Sequence, residues 1–310
     1  MPILSIIIPA YNAERTILET LASVQKQTFS DFELIVINDG SSDQTLELLH
    51  SVADERLRIF SYENGGVAVA RNRGISHATG EFIAFMDADD LWTPDKLELQ
   101  LAALQQHAIA GVAYSWTRFI NEQGKPISAC DPIFFEDNVY AKLLVGDFIY
   151  SGSNTMIRRQ AIESVGEFDP ACAGCDDWDY WLRLAARWPF VVVPKHQILY
   201  RRSSSSASSN VEKMKKSALI SLEKAYQMAP PELQHLRNQS LISFHNYCAD
   251  LHLRSSTNVR GFNQAGRHLL MSICIEPKLI LNKRFHRYIK WYIKNILLIP
   301  FFSNNSSLSH

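Results

Sequence analysis

Four short apolar runs, at residues 4–8, 34–37, 57–61 and 82–86, fall within the first 90 residues, and segments with helical spacing separate them. Strands buried on both faces read as continuous apolar runs, whereas strands with one wet face alternate. Strands joined by helical crossovers pair in parallel, because each crossover returns the chain to the same end of the sheet. The pattern therefore predicts an α/β fold, with a Rossmann-like central sheet flanked by helices, one of them marked by Ile17, Leu21 and Val24. In open sheets of this kind ligands bind beyond the carboxyl ends of the strands. The residues that follow each run are the first candidates for a site.

Those residues are polar or aromatic. Tyr11 follows the first run and Asp39 the second, while the fourth ends in Asp87, Asp89 and Asp90. Hard carboxylate oxygens at a strand end suit Mg²⁺ or Mn²⁺, which bridge in turn to phosphate oxygens. The expected ligand is a nucleoside diphosphate with something attached. Two helix starts are also marked: Ser41-Ser-Asp-Gln44 has capping-box spacing, and Thr93-Pro94 sets an N-cap before a proline at the first helical position.

Other classes fit less well. No GxGxxG follows the first run, as a dinucleotide oxidoreductase would need. The loop Pro9-Ala-Tyr-Asn12 lacks the glycine-rich basic character of a sugar nucleotidyltransferase. A formal net charge of −1 argues against a nucleic-acid partner. Five scattered cysteines point to a reducing compartment, and Cys172-Ala-Gly-Cys175, without a second pair, reads as a loop and not as a zinc site.

Further on, residues 111–120, 154–158, 190–193 and 197–200 read as strands, and 176–188 as a helix with Trp178, Trp181, Leu182 and Ala185 on one side. Serines at 203–209 read as a loop. Beyond them the spacing is helical: Val211, Met214, Ala218, Leu222 and Ala225, then Leu233, Leu236, Phe244, Tyr247 and Leu251, then a third helix over 258–273. The pattern divides the chain into 1–208 and a helical extension, 209–310.

Six segments in order resemble family 2 glycosyltransferases of the GT-A fold, over about residues 3–208. They are Ser5-Ile-Ile-Ile-Pro-Ala-Tyr-Asn12, Val36-Ile-Asn-Asp-Gly-Ser-Ser-Asp43, Ala70-Arg-Asn-Arg-Gly74, Asp87-Ala-Asp-Asp90, Gly166-Glu-Phe-Asp169 and Cys175-Asp-Asp-Trp-Asp-Tyr-Trp-Leu-Arg183. The resemblance implies an inverting, non-processive enzyme of bacterial surface polysaccharide synthesis. It would move one sugar from a nucleotide-sugar donor, UDP-linked by expectation, to a glycan or lipid-linked glycan. It also implies roles. Pro9 and Tyr11 belong to the nucleotide-binding block, with Tyr11 against the base. Asp39 accepts from the uracil N–H, and Arg71 reaches the base or the diphosphate. Asp87 and Asp89 match the DxD acids, Asp89 as metal ligand and Asp87 toward ribose or metal, and Asp177 matches the base. Plainer readings stand beside these: a core tyrosine, a turn aspartate ahead of Gly40, a surface arginine, a helix N-terminal acid. Asp90 reads equally as a turn or capping acid. Asp176 stands where glutamate is frequent, which leaves the choice between Asp176 and Asp177 open.

Two departures qualify the resemblance. Leu184 stands where the processive Q-x-x-R-W motif has glutamine, ahead of Arg187-Trp188, and Ser203 stands where many members have histidine after Tyr-Arg. Arg201 and Arg202 are read instead as a lid over the diphosphate.

After Glu276 the chain has no acid, while Lys278, Lys283, Arg284, Arg287, Lys290 and Lys294 supply positive charge. Phe285, Tyr288, Ile289, Tyr292, Ile296 and Ile299 share one helical face. Such a helix either lies on an anionic membrane surface or packs on its own protein. The opening residues show no basic region or cleavage site, so no secretory leader is expected. The expected location is cytoplasmic, with peripheral attachment to the inner face of the membrane as the tail's alternative.

Overall fold

A computed structural model describes residues 1–203, 211–255 and 259–304; the serine run lies outside these from residue 204 on. The first half is the expected crossover unit. Strands β1 (Leu4–Ala10), β2 (Phe32–Asp39), β3 (Leu57–Tyr62) and β4 (Phe82–Phe85) are joined by α1 (Ile17–Gln25), α2 (Thr45–His50) and α3 (Val67–His77). They pair in parallel in the order β3-β2-β1-β4. The chain builds outward from β1 to β2 and β3, then returns to place β4 on the other side of β1. That reversal opens a crevice at the carboxyl ends of β1 and β4.

The second half extends the sheet. It contains β5 (Leu91–Trp92), α4 (Lys96–Gln106), β6 (Val112–Ile120), β7 (Pro126–Ala129), α5 (Tyr140–Val145), β8 (Met156–Arg158), α6 (Arg159–Val165), α7 (Asp176–Ala185) and β9 (Phe190–Arg201). The result is a mixed nine-stranded sheet, β3-β2-β1-β4-β8-β6-β9-β5, with β7 paired to β6. The two strand runs read at 190–193 and 197–200 are one strand of 12 residues. Its register against β6 shifts on either side of Trp116, so that Ser115 faces Val193 but Trp116 faces His196. The irregularity takes up Pro194-Lys195, where the apolar pattern breaks.

Both marked helix starts differ from expectation. The capping box at 41–44 does not form: α2 begins at Thr45, whose N–H and hydroxyl donate to Asp43 Oδ1 at 3.0 and 2.6 Å. Ser41 Oγ instead accepts from the Asn12 N–H at 3.1 Å. Helix α4 begins at Lys96 with Asp95 at its N-cap, so Pro94 precedes the helix. The Thr93 hydroxyl donates to Asp95 Oδ1 at 2.8 Å.

Each face of the sheet has its own core. Leu4, Ile6 and Ile8 pack with Ile17, Leu21 and Val24 of α1 and with Leu97, Leu101 and Leu104 of α4. On the other face Ile7, Ile83 and Phe85 pack with Leu143 of α5 and Trp178 and Trp181 of α7. The C-terminal helices are α8 (Val211–Met228), α9 (Arg237–Ser255), α10 (Val259–Ile275) and α11 (Lys283–Asn304). Met214 and Leu222 of α8 and Phe244 and Cys248 of α9 join this second core. A third cluster, Ala249, Leu253, Phe262, Ala265, Leu269 and Phe285, forms among α9, α10 and α11.

The tail therefore packs its aromatic face on its own protein as far as Tyr292. Tyr288, Ile289, Trp291 and Tyr292 lie against the third cluster, and the Arg254 guanidinium is 5.4 Å from the Trp291 ring centroid. Ile296 and Ile299 fall outside the described side chains. Among the described residues no helix is long and apolar enough to cross a membrane.

Candidate active site

At the end of β2, the chain turns at Gly40 with φ +74°, and a Cβ there would lie 2.8 Å from the Asn64 amide nitrogen. Only glycine fits both the conformation and the approach. The turn brings the 64–66 loop onto Asp39, which is 2% exposed. Asp39 Oδ1 accepts from Gly65 N–H at 3.0 Å and Arg73 Nη1 at 2.9 Å, and Oδ2 accepts from Gly66 N–H at 2.8 Å. Both oxygens thus fix the start of α3. Pro9 is buried within β1, while Tyr11, just past it, is 55% exposed.

One turn into α3, Arg71 is 3% exposed, which removes the surface-arginine reading. Its Nη2 donates to Asp87 Oδ1 at 2.7 Å and its Nη1 to Asp176 Oδ2 at 2.5 Å. Burial opposes its charge, but Asp87, Asp176 and Asp177 outweigh burial and hold the guanidinium protonated. A Cβ on Gly152 would lie 2.3 Å from Arg71 Nη2, so the absence of a side chain there makes room for the bridge.

The three acids after β4 part company. Asp87 keeps its side chain 27% exposed, and its N–H donates to Ser153 Oγ at 2.9 Å. Asp89 is half-buried, and burial followed by the charge of Asp87 pushes its carboxyl up to about 6. Asp90 is fully buried: Oδ2 accepts from Ser151 and Ser153 hydroxyls at 2.9 and 2.5 Å, and Oδ1 from the Arg201 N–H at 2.9 Å. It ties the acid loop to two other segments and does not face the crevice as a ligand.

Arg201 has a different place from the lid expected of it. It is 3% exposed, its Nε donates to Asp89 O at 2.7 Å, Nη1 to Glu122 O at 2.9 Å, and Nη2 to Glu19 Oε2 at 2.6 Å. It braces the backbone of the acid loop instead of standing free for a phosphate. Arg202 sits with its guanidinium 3.7 Å from the Phe119 ring centroid.

Among the described residues no group of three or more His, Cys, Asp and Glu could hold a metal ion. Two carboxylates, Asp87 and Asp89, one of them raised by the other's charge, fit a hard dication that takes its remaining oxygens from a bound diphosphate and water. His196 is elsewhere, its Nε2 3.1 Å from Cys130 O. Cys172 and Cys175 are free and buried.

The first turn of α7 carries Asp176, Asp177 and Asp179, favoured there by the helix dipole. Their surroundings distinguish them. Asp176 is 4% exposed and taken by Arg71 and by the Gly174 N–H at 3.2 Å. Asp179 pairs with Arg183 at 2.9 Å and Lys224 at 2.8 Å. Asp177 forms no ion pair among the described residues, is half-buried, and accepts at Oδ1 from the Trp178 N–H at 2.8 Å. Burial pushes its carboxyl up to about 7, aided by the charges of Asp147 and Asp176 and opposed by Arg71. A carboxylate that titrates near neutrality is suited to taking a proton.

Asp147 and Tyr247, near Asp177, and Tyr150, beside Asp147, were not among the site residues read from the sequence. Asp147 follows α5; its Oδ1 accepts from the Ile149 and Tyr150 N–H groups at 2.8 and 3.4 Å, and burial pushes its carboxyl up to about 6. Tyr150 adopts φ +70°, which costs a bulky residue about 1–3 kcal/mol. Tyr247, expected on the apolar face of its helix, is 46% exposed. Phe244 and Cys248 take the buried positions and leave Tyr247 at the edge of the stripe.

The family model described as "Glycosyltransferase like family 2" matches residues 5–249. A UDP-Glc:alpha-D-GlcNAc-diphosphoundecaprenol beta-1,3-glucosyltransferase, WfgD of Escherichia coli, is 42% identical over 109 residues, covering 35% of this chain and 43% of that protein. The putative teichuronic acid biosynthesis glycosyltransferase TuaG of Bacillus subtilis is 37% identical over 131 residues, 41% of this chain and 51% of that one. An uncharacterized glycosyltransferase of Rickettsia felis is 40% identical over 141 residues, 45% of this chain and 23% of its own length. These matches span about a quarter to a half of the curated relatives. Among solved structures, S. aureus TarS 1-349 in complex with UDP-GlcNAc superposes with a TM-score of 0.66 at 19% identity, covering 99% of this chain and 93% of that one. The shared fold thus includes the C-terminal helices.

Proposed function

Because this chain belongs to the glycosyltransferase like family 2, we propose that it is an inverting enzyme that moves one hexose from a UDP-linked donor to a hydroxyl of a glycan or lipid-linked glycan, in bacterial polysaccharide synthesis. Two relatives support the choice of substrates: WfgD is named for UDP-Glc and a diphosphoundecaprenol-linked sugar, and TuaG for teichuronic acid. The observation that carries the reading is the state of Asp177. It is half open, forms no ion pair among the described residues, titrates near neutrality, and lies across Arg71 and Asp176 from the acids at the end of β4.

In this reading the uracil lies on the exposed ring of Tyr11, at the crevice edge that Pro9 and Asp39 shape. Asp39 accepts from the uracil N–H as the 65–66 loop shifts to admit it. Arg71, already protonated and buried, orients Asp87 toward the ribose and lends positive potential to the diphosphate. Mg²⁺ or Mn²⁺, held by Asp89 and Asp87, would supply Lewis-acid stabilisation of the departing diphosphate; a solved mannosyltransferase of this fold, from Pyrobaculum calidifontis, is described with GDP-Man and Mn²⁺. Asp177 takes the proton of the acceptor hydroxyl while that oxygen attacks the anomeric carbon from the face opposite the leaving group.

Donor and cation are read together in a thermal-shift series. A UDP-sugar at a hundredfold over its dissociation constant stabilises the folded state by about 2.7 kcal/mol, a rise of roughly 5 °C for a chain of this size. The rise should require Mg²⁺ or Mn²⁺ and disappear in Asp89→Ala. A larger rise with GDP-mannose than with any UDP-sugar would overturn the uridine assignment.

We also propose that the outer face of the tail meets anionic lipid. Lys283, Arg287, Lys290 and Lys294 are exposed there beside Leu281 and Ile293. Near such a surface each cation contributes about 1 kcal/mol. The protein should float with phosphatidylglycerol vesicles in low salt and not with phosphatidylcholine vesicles. Changing these four cations to glutamine should abolish flotation, and equal flotation before and after would reject the surface.

A further inference from the structure

Helix α9 reaches the neighbourhood of Asp177 from outside the sheet. Phe244 and Cys248 are buried against α5 and α7 and set its rotation. A Cβ on Gly146 would lie 3.1 Å from Ser243 Oγ, so the backbone immediately before Asp147 passes directly beneath α9. Tyr247 is one turn further along the same side of the helix. Burial raises its phenol, and the negative charges of Asp147 and Asp177 add to that. Tyr150 approaches from another direction: Phe119 holds it and Tyr200 edge-on, with ring centroids 5.8 and 5.9 Å away.

Two tyrosines, 43% and 46% exposed, thus stand open beside two acids. The other tyrosines of this face are used differently. Tyr114, Tyr140 and Tyr180 are buried, and their hydroxyls donate to the carbonyls of Phe135, Ala225 and Gly166 at 2.9, 2.9 and 3.0 Å. Tyr150 in addition holds its strained φ of +70°, and the Asp147 carboxylate maintains that turn by accepting its N–H. Half-open aromatic rings beside a carboxylate match the chemistry of a pyranose, which has an apolar C–H face and a rim of hydroxyl donors.

We infer that Tyr247, Tyr150 and Asp147 form the acceptor cradle: a sugar unit lies with its C–H face on the tyrosine rings, gives hydroxyl hydrogen bonds to Asp147, and presents one further hydroxyl to Asp177. The inference rests on the glycosyl-transfer reading and extends it. It makes α9 a contributor to the active site, and the residue at its edge a determinant of which acceptor sugar is taken.

The test uses the full chain saturated with UDP and Mg²⁺, with the octyl glycosides of glucose, galactose and N-acetylglucosamine as probes in saturation-transfer NMR. At least one glycoside should bind the wild type. Tyr247→Ala and Asp147→Asn should each weaken that binding tenfold or more, and Tyr247→Phe, which keeps the ring, by less. Asparagine retains the side-chain oxygen that accepts the Ile149 and Tyr150 N–H groups, so the turn survives and only the charge is lost. UDP should raise the melting temperature of all three variants as in the wild type. Binding of no glycoside, or binding unaffected by both Tyr247→Ala and Asp147→Asn, overturns the cradle. Failure of the donor reading shows separately, as a wild type that UDP does not stabilise.

Discussion

Asp177→Asn should lower sugar transfer about 10²–10⁴-fold, the usual range for loss of a positioned base, and leave stabilisation by UDP and cation intact. Asparagine matches the carboxylate in shape, still accepts from the Trp178 N–H, and removes only the site that receives the proton. Asp176→Asn should not reproduce this pattern, because Asp176 is buried and spent on Arg71. Its effect should fall on stability. If Asp177→Asn retained a tenth of wild-type turnover, the base would have to be sought elsewhere.

The pH behaviour follows from the same residue. With its carboxyl near 7, transfer by the wild type should fall as pH drops through about 7, since the base is then protonated. The stability effect has the opposite sense from that of an ion-paired acid. An unfolded aspartic acid ionises near 3.9, so between about pH 4 and 7 the folded state holds a proton that the unfolded state has lost. Asp177 therefore subtracts stability as pH rises through that window. Asp177→Asn should melt higher than the wild type at pH 8 and gain little at pH 5. An equal difference at both pH values would mean that the carboxyl titrates normally.

Arg71→Met should be the most damaging single change to the fold of the site. Removing one partner from a buried ion pair costs about 3–5 kcal/mol, because the remaining charges lose their counter-ion and cannot reach water. Here two carboxylates would be stranded, Asp176 almost fully and Asp87 in part. A melting temperature roughly 10 °C below wild type is expected. Arg71→Lys should recover little, since one ammonium cannot span two carboxylates as the guanidinium fork does. The double variant Arg71→Met with Asp176→Asn should regain part of the loss. Melting of Arg71→Met within a degree of the wild type would show that the bridge contributes nothing to the fold.

Much of this arrangement could be read from the chain. The parallel strands β1 to β4 are legible because buried strands leave continuous apolar runs, and Tyr11, Asp39 and Asp87 because such strands end at a common edge. The helix spacing of 211–225 also survives in α8. What was not legible depended on contacts between distant segments. Asp90 looks the same as Asp87 and Asp89 in sequence, and only the serines at 151 and 153 together with the Arg201 N–H separate it from them. Arg201 reads as a free cation until the carbonyls of Asp89 and Glu122 are seen to take its donors. Asp147 and Tyr150 lie in one loop and Tyr247 in a distant helix, with no shared motif. Tyr247 is drawn into the apolar stripe of α9 by its spacing and out of it by a rotation that Phe244 and Cys248 settle.

The family match ends at residue 249, and Ala249 is also the first residue of the third cluster, although Leu251 beyond it still packs on the sheet-side core. Up to that seam a change in α8 or α9 is felt by the core that aligns Asp177. Past it, α10 and α11 pack on α9, on each other and on the segment between them, and α10 reaches back across the seam, with His268 beside His245 and the Ser272 hydroxyl donating to Asn246 Oδ1. The outer helices thus meet the sheet-side core through α9, which carries both kinds of packing. A change in the outer helices is therefore passed inward along α9, and Tyr247 stands two residues short of the seam, where one kind of packing gives way to the other.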